Sequence, residues 1–276
     1  MRIKSTLLLF AAIAAALALW AFWIEPDSLR VRGYDLPLLH WPVAQDGLRI
    51  ALLTDLHAGA PYIDDAKIAR VVTLTNQAHP DLILLLGDYV RGDMIGGRFM
   101  PPEHIAALLV GLQAPLGVYA VLGNNDNERC RQCVLAAFRQ HGIVTLEDRL
   151  QRIDRGRFHF WLAGFSDLST RGNHVAQVLA AINDTTPVIA MTHDPALFPK
   201  VPARVSLLLA GHTHGGQVRL PLIGAPAIRF LDLPYTAGHY RQQTDLFVSS
   251  GIGTSNLAVR FGVPPEISVL TVHQQQ

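Results

Sequence analysis

Ser206-Leu207-Leu208-Leu209-Ala210 runs directly into Gly211-His212-Thr213-His214-Gly215-Gly216-Gln217. An apolar run of strand length that stops at glycine reads as a buried strand emptying into a tight loop. Open α/β sheets place their chemistry at such carboxyl ends. Two imidazoles spaced i, i+2 in a loop can turn toward points a few ångströms apart, which suits a pair of metal ions. Taken alone, the stretch also fits a polar loop with two solvated histidines.

Four further apolar runs end in the same way. Ile50–Thr54 leads to Asp55-Leu56-His57, Leu82–Leu86 to Gly87-Asp88, Val118–Leu122 to Gly123-Asn124-Asn125-Asp126, and Val188–Thr192 to His193. Five strand ends thus carry Asp, His and Asn side chains, a set of hard to borderline ligands for divalent cations. Coincidence does not account for the repetition.

With 276 residues, half of them hydrophobic, the chain can bury a large core. A formal net charge of +1 gives no electrostatic footprint for nucleic acid, and no nucleic-acid partner is expected. Its 22 Gly and 17 Pro punctuate the sequence without a repeat or low-complexity tract.

Residues 1–25 read as a membrane anchor. Leu7 to Ile24 is an uncharged run of 18 residues, about 27 Å as a helix, close to the thickness of a bilayer core. Trp20 and Trp23 suit the interfacial belt at its far end. A cleaved signal peptide, with Ala16-Leu17-Ala18 as the cleavage site, and a soluble core helix are the alternatives. Arg2 and Lys4 are opposed by Arg30 and Arg32 across the run, so the balance leans only slightly toward a single-pass protein with a periplasmic or extracellular body. Residues 26–47, interrupted by Pro37 and Pro42, read as a connector: either an irregular juxtamembrane strip or an edge strand with a linker.

Residues 48–276 form the expected catalytic domain. Strands at 48–54, 81–86 and 117–122 alternate with helices near 64–79, 102–113 and 128–141, the pattern of right-handed βαβ units. A second series of strands, near 158–164, 187–192, 206–210, 244–249 and 266–272, has fewer helices between them. The fold class expected is α/β: a four-layer α/β/β/α sandwich of two mixed sheets after an N-terminal transmembrane helix, with the chemistry along one rim.

In order and spacing, Asp55-x-His57, Gly87-Asp88, Gly123-Asn124-x-Asp126, His193 and Gly211-His212-x-His214 resemble the calcineurin-like metallophosphoesterases. The longer string GHTHGGQ, the anchor, and the tail with Gly251-Ile252-Gly253, Arg260-Phe261 and Pro265-Glu266 are similar to a membrane-associated bacterial branch. That branch includes extracytoplasmic phosphodiesterases and a UDP-2,3-diacylglucosamine pyrophosphatase of lipid A biosynthesis. The resemblance implies two divalent ions (Mn, Fe or Zn), one held by Asp55, His57, Asp88 and His214, the other by Asp88, Asn124, His193 and His212. It implies hydrolysis of a phosphodiester or pyrophosphate bond by a metal-bound hydroxide, on a phosphorylated small molecule or a lipid-linked substrate such as UDP-2,3-diacylglucosamine.

One position departs from the family. Where it commonly reads Gly-Asn-His-Asp, with the histidine facing the leaving group, this chain has Asn125. An amide donates a hydrogen bond but is no general acid, so good leaving groups such as those of pyrophosphates are expected. A nucleotide phosphodiesterase and a catalytically impaired phosphoglycolipid-binding protein are the rival readings.

Asp126 is expected to orient a ligand histidine through its free nitrogen. Arg260 is a candidate phosphate contact or a partner of Glu266, and His239 a candidate substrate contact at the rim. Arg91 and Asp93, close after Asp88, are candidates for the mouth. Cys130 and Cys133 cannot complete a structural zinc site; they read as ordinary thiols or, in an oxidising compartment, a local disulfide of little stabilising effect.

Overall fold

A computed structural model of the chain describes residues 2–226 and 233–275. The strands are β1 (Arg30–Leu38), β2 (Leu48–Leu53), β3 (Leu82–Leu85), β4 (Val118–Ala120), β5 (Val144–Thr145), β6 (Arg149–Arg155), β7 (Phe158–Gly164), β8 (Val188–Met191), β9 (Leu207–Ala210), β10 (Gly238–Arg241), β11 (Asp245–Val248) and β12 (Glu266–Gln274). They make two six-stranded mixed sheets, in the orders β1-β12-β2-β3-β4-β5 and β10-β11-β9-β8-β7-β6. The helices are α1 (Arg2–Leu19), α2 (Glu25–Asp27), α3 (Asp65–Gln77), α4 (Pro102–Leu109), α5 (Asn124–Gln140), α6 (Leu168–Arg171) and α7 (Val175–Leu179).

The uninterrupted apolar runs explain the layering. In a strand, successive side chains point to opposite faces, so a run without polar alternation must be covered on both. Leu82 and Leu84 of β3 face the core between the sheets, where they meet Leu207 and Leu209 of β9. Ile83 and Leu85 face outward into the core made with Ile68 and Val71 of α3, Ile105 and Leu109 of α4, and Val134 and Phe138 of α5. Leu208 and Ala210 of β9 pack outward with Val175, Val178, Leu197 and Phe198. The result is the expected α/β/β/α sandwich.

α3 starts where Asp64 accepts a hydrogen bond from the Lys67 backbone N–H (2.8 Å) and buries Ile68, Val71 and Thr75 on one stripe. α4 stops at Leu109, a turn short of the expected 113. α5 begins four residues early, at Asn124, because Asp126 reaches back to the Gly123 N–H at its start (2.9 Å). Its backbone is non-helical at Cys130, where a disulfide joins Cys130 to Cys133.

Two strands depart from the sequence reading, and residues 26–47 follow one of its two alternatives. Of the two readings of residues 26–47, the edge strand with a linker is the one found: Arg30–Leu38 pairs in parallel with β12, and Pro37 is tolerated because one flank of an edge strand carries no ladder. β6 (RLQRIDR) and β10 (GHYR) escape recognition because both are polar edge strands. α1, continued by a π turn over Trp20–Ile24 and by α2, leaves its apolar side chains exposed. The span Lys4–Asp27 is long and apolar enough to cross a membrane.

Candidate metal centre

β2, β3, β8 and β9 are mutually parallel within their sheets, and their carboxyl ends deliver the polar side chains to one rim. Two clusters form there. Asp55, His57 and His214 make one and Asp88, His193 and His212 the other, each with its potential ligand atoms within 4.8 Å of one another. Asp88 connects them: its Oδ2 lies 3.6 Å from His57 Nε2 and 3.4 Å from His193 Nε2.

Several features fit the donor set to cations. His57 Nε2 faces His214 Nε2 at 3.2 Å, and His193 Nε2 faces His212 Nδ1 at 3.1 Å. Converging imidazole nitrogens repel unless a proton or a cation lies between them. His193 Nδ1 donates to the Leu86 carbonyl (2.7 Å), which directs Nε2 toward Asp88. Asp55 Oδ2 accepts from Thr54 Oγ1 (2.9 Å) and the His212 N–H (3.0 Å). Its buried Oδ1 has no hydrogen-bond partner, and His214 Nε2 stands 3.4 Å away. Asn124 Oδ1 is likewise buried without a partner, at the site expected to supply the fourth ligand of the second cluster.

The backbone carries the cost of this convergence. Asp55, His57, Asp88, His212 and His214 all have positive φ, between 47° and 71°. For non-glycine residues that conformation costs on the order of 1–3 kcal/mol each and persists only where the surroundings enforce it. Two glycines leave the necessary room: a Cβ at Gly123 would stand 2.1 Å from Asp88 Oδ1, and one at Gly211 2.0 Å from Thr54 Oγ1.

Electrostatics follow from burial and mutual proximity. Burial raises the Asp55 carboxyl, but His214 and His193 outweigh it and hold the group below its ordinary range. Asp88 is held well down in the same way, against its burial, by His193 and His57. Burial, reinforced by His57 and Arg260, pushes His214 down to about 3, so its imidazole is neutral near physiological pH. His193 is raised despite burial, by Asp88 first, so that a cation arriving there displaces a proton.

Asp126 does something other than orient a histidine. Its Oδ2 accepts from the N–H groups of Asp88 (2.8 Å) and Gly123 (2.9 Å), and its Oδ1 from those of Tyr89 and Val90 (3.0 Å each). It is fully buried, and burial followed by repulsion from Asp88 raises it to about 7. It pins the loop that presents Asp88. Asn125, beside it, donates its backbone N–H to Asp88 Oδ1 (2.9 Å) and Nδ2 to Asp88 Oδ2 (2.7 Å).

The two candidate substrate contacts are elsewhere. Arg260 is fully buried; its guanidinium donates to the carbonyls of Ser250, Gly251, Gly253 and Val263 at 2.6–3.1 Å. It reaches neither a phosphate pocket nor Glu266 as a hydrogen-bond partner, and burial lowers it to about 10. What it holds is the loop whose Gly253 N–H donates to the Asp55 carbonyl (2.6 Å). His239, opposite Phe247 in the β10–β11 pair, donates Nε2–H to Asp245 Oδ1 at 2.7 Å, so its imidazole turns back toward the amino end of β11.

A cleft of about 250 Å³ opens beside the clusters, lined among others by His57, Asn124, Asn125, Glu128 and Arg129. Thr254, Ser255 and Asn256 form its other wall. Sequence reasoning missed that wall, although Gly251-Ile252-Gly253 just before it marks a close backbone approach. Asp93 lines the cleft and pairs with Arg129, whereas Arg91 turns to the Met94 carbonyl (2.8 Å).

A four-layer α/β sandwich with two adjoining His/Asp clusters on one rim defines a metal-dependent phosphoester hydrolase with two candidate metal sites. The chain belongs to the calcineurin-like phosphoesterases, matching that family over residues 48–216. A metallophosphoesterase of Bacillus subtilis (strain 168), YkuE, is 27% identical over 259 residues, covering 92% of this chain and 88% of that one. A transmembrane protein with metallophosphoesterase domain from Danio rerio is 29% identical over 279 residues, and the match spans 95% of this chain but 61% of the fish protein. Among solved structures, an archaeal phosphodiesterase aligns with a TM-score of 0.37 at 12% identity, over 74% of this chain and 84% of that one.

Proposed function

We propose that the protein is a single-pass membrane hydrolase that cleaves pyrophosphate bonds, or phosphodiesters with good leaving groups, in lipid-linked substrates. Asp55, His57, Asp88 and His214 would hold one divalent ion, and Asp88, Asn124, His193 and His212 the other. The ions, when bound, supply positive charge for the phosphoryl oxygens and acidify a water molecule. The residues do the rest. Asp88 faces both clusters with a carboxylate held by two hydrogen bonds from Asn125. Asp126 fixes the loop beneath it.

The observation that carries the substrate reading is Asn125. Its amide is engaged with Asp88 and has no proton to transfer near neutral pH. Lack of a general acid typically costs about 10² to 10⁴ in rate, felt most when the departing oxygen is basic. A phosphate leaves without that help, so pyrophosphates are favoured over alkyl diesters.

The Cys130–Cys133 bond supports an extracytoplasmic body, since disulfides persist in oxidising compartments. On that face the substrate is an exported lipid pyrophosphate or phosphodiester; on the cytoplasmic face, a precursor such as UDP-2,3-diacylglucosamine. Asn125 also favours a second reading, a phosphoglycolipid-binding protein that has lost turnover.

The experiment compares kcat/KM for a nucleotide-sugar pyrophosphate and an alkyl phosphodiester with added Mn²⁺, in the parent and in Asn125→His. Parent preference for the pyrophosphate, with the alkyl diester gaining in the variant, supports the hydrolase reading. Preference for the alkyl diester overturns the leaving-group argument, and a silent parent beside an active variant favours the binding reading.

A further inference from the structure

The topology fixes where the apolar helix leaves the body. β1 runs parallel to β12, with Arg30 opposite Glu266, and β12 runs antiparallel to β2, with Ser268 opposite Leu52. The amino end of β1 therefore lies at the same rim as the carboxyl end of β2, which leads into Asp55 and His57. The α1–α2 segment, immediately before β1, emerges beside the metal centre.

That exit is fastened to the loops around the cleft. The Ala21 carbonyl accepts from the Arg260 N–H (3.0 Å), and the Phe22 carbonyl from Tyr62 Oη (2.6 Å). Buried Glu25 accepts from the Val263 N–H (2.7 Å) and from Trp20 Nε1 (2.5 Å). Lys67 Nζ reaches Asp27 Oδ1 (2.9 Å). Tyr62 follows the His57 loop and Val263 closes the loop held by Arg260, so the helix end cannot swing freely.

The same loops display large apolar side chains to solvent. Ile95 is 74% exposed and Phe99 69%, in the segment after Asp88; Leu257 is exposed in the loop that walls the cleft; Leu222 and Ile223, the latter 62% exposed, cap a turn closed by Leu220 and Gly224 just beyond the His214 loop. These loops touch one another: the Ile95 N–H donates to the Asn256 carbonyl (3.1 Å), Gln217 bonds Ser255, and the Arg219 N–H donates to Phe261 (2.7 Å). These apolar side chains thus sit on loops that bond to one another around the cleft, on the rim from which the helix end leaves with Phe22, Trp23 and Ile24 exposed. Arg219 stands exposed among them, as does Arg98, whose guanidinium also lies 3.6 Å from Asp65 Oδ1.

We infer that Ile95, Phe99, Leu222, Ile223 and Leu257 form a collar that dips into the bilayer interface, seating the mouth of the metal centre against the lipid headgroups. Contiguous exposed apolar side chains mark an interaction surface, and an apolar face with arginines beside it is the chemistry of binding at an anionic lipid surface. The bilayer is the occupant favoured because the collar loops stand at the rim from which the membrane-length helix leaves. This reading deepens the proposed function and rests on α1 crossing the membrane: the substrate's phosphate enters from the lipid plane and never leaves it.

Both native cysteines are bonded to each other, so an introduced cysteine labels selectively. Full-length Leu222→Cys and Phe99→Cys carry an environment-sensitive fluorophore in vesicles of phosphatidylethanolamine and phosphatidylglycerol; Asp154→Cys, on the β6 edge, is the control. Quenching of labels 222 and 99 by doxyl-lipid, with the control quenched only by aqueous iodide, is expected. Iodide quenching alone at all three positions overturns the inference. In the same vesicles, paired Leu222→Asp and Ile223→Asp are expected to slow hydrolysis of a lipid-tailed aryl phosphodiester while bis(p-nitrophenyl) phosphate in solution is turned over at the parent rate. Equal loss on both substrates also overturns it. If the parent hydrolyses neither, the hydrolase reading falls, and the quenching still decides the collar.

Discussion

Substituting Asp126 by Asn changes one atom and tests whether the Asp88 loop is held as described. The carboxylate accepts four backbone N–H bonds, two on each oxygen. Asparagine retains one oxygen, so two buried N–H groups would face an NH₂ that also donates. Leaving a buried donor unsatisfied costs about 1–3 kcal/mol, hence roughly 2–6 kcal/mol for the pair, against a total stability on the order of 5–15 kcal/mol. At roughly 2–4 °C per kcal/mol for a domain of this size, the melting temperature falls by about 4–24 °C. The alternative for the chain is to move the 87–90 loop and save the hydrogen bonds, which displaces Asp88 from between the clusters. Either way the variant, loaded with Mn²⁺, should bind the metal more weakly and lose most of its kcat/KM on bis(p-nitrophenyl) phosphate. Calorimetry and a metal titration check the two halves. A variant with unchanged melting temperature and Mn²⁺ affinity would refute the four-bond account.

Asp88→Asn removes the charge shared between the clusters, so bound metal measured by mass spectrometry should fall from two ions per chain toward one or none. Arg260→Lys keeps the charge but not the fork that reaches four carbonyls; the melting temperature should fall about as far as for Arg260→Gln, whereas near-parent stability of the lysine variant would show that charge alone matters. Asp245 is raised by burial but lowered more by His239, Arg241 and the Leu39 N–H, to a net value below its ordinary 3.8. Its folded form binds fewer protons than the unfolded chain, so its contribution is complete above about pH 4 and vanishes as the pH falls through the lowered value; Asp245→Asn should flatten that acid limb in a urea titration, and an unchanged limb would exclude the pairing.

The six candidates that meet in the two clusters were legible because each follows an apolar run that can only be a strand buried on both faces. Sequence proximity then stands in for spatial proximity: parallel strands bring their carboxyl ends together whatever lies between them. Arg260 and His239 were misplaced because a cationic side chain reads the same whether it meets a phosphate or a backbone carbonyl, and only burial separates the two. Asp126 was placed beside the centre correctly, but the target of its carboxylate, four peptide N–H groups and no imidazole, has no sequence signature. The edge strand at 30–38 was one of the two readings offered for its stretch, whereas β6 and β10 hid behind their polar side chains, since edge strands need not obey the apolar pattern of central ones.

The strained loops and the anchored exit are connected. Five candidate ligand residues in left-handed backbone conformations hold their places only if the loops are over-determined, and the restraints come from two directions. From inside, Asp126 ties Asp88 to the start of α5. From outside, Arg260 gathers the carbonyls of the 250–263 loop, whose Ile252 and Gly253 N–H groups bond Thr54 and Asp55, while its own N–H is capped by Ala21 at the end of the apolar helix. A continuous set of hydrogen bonds therefore runs from the helix exit through Arg260 to Asp55 in the first candidate cluster. The helix is thereby part of what keeps Asp55 in register, and a chain freed from it by proteolysis after Asp27 should lose metal affinity at the Asp55 cluster before it loses the fold.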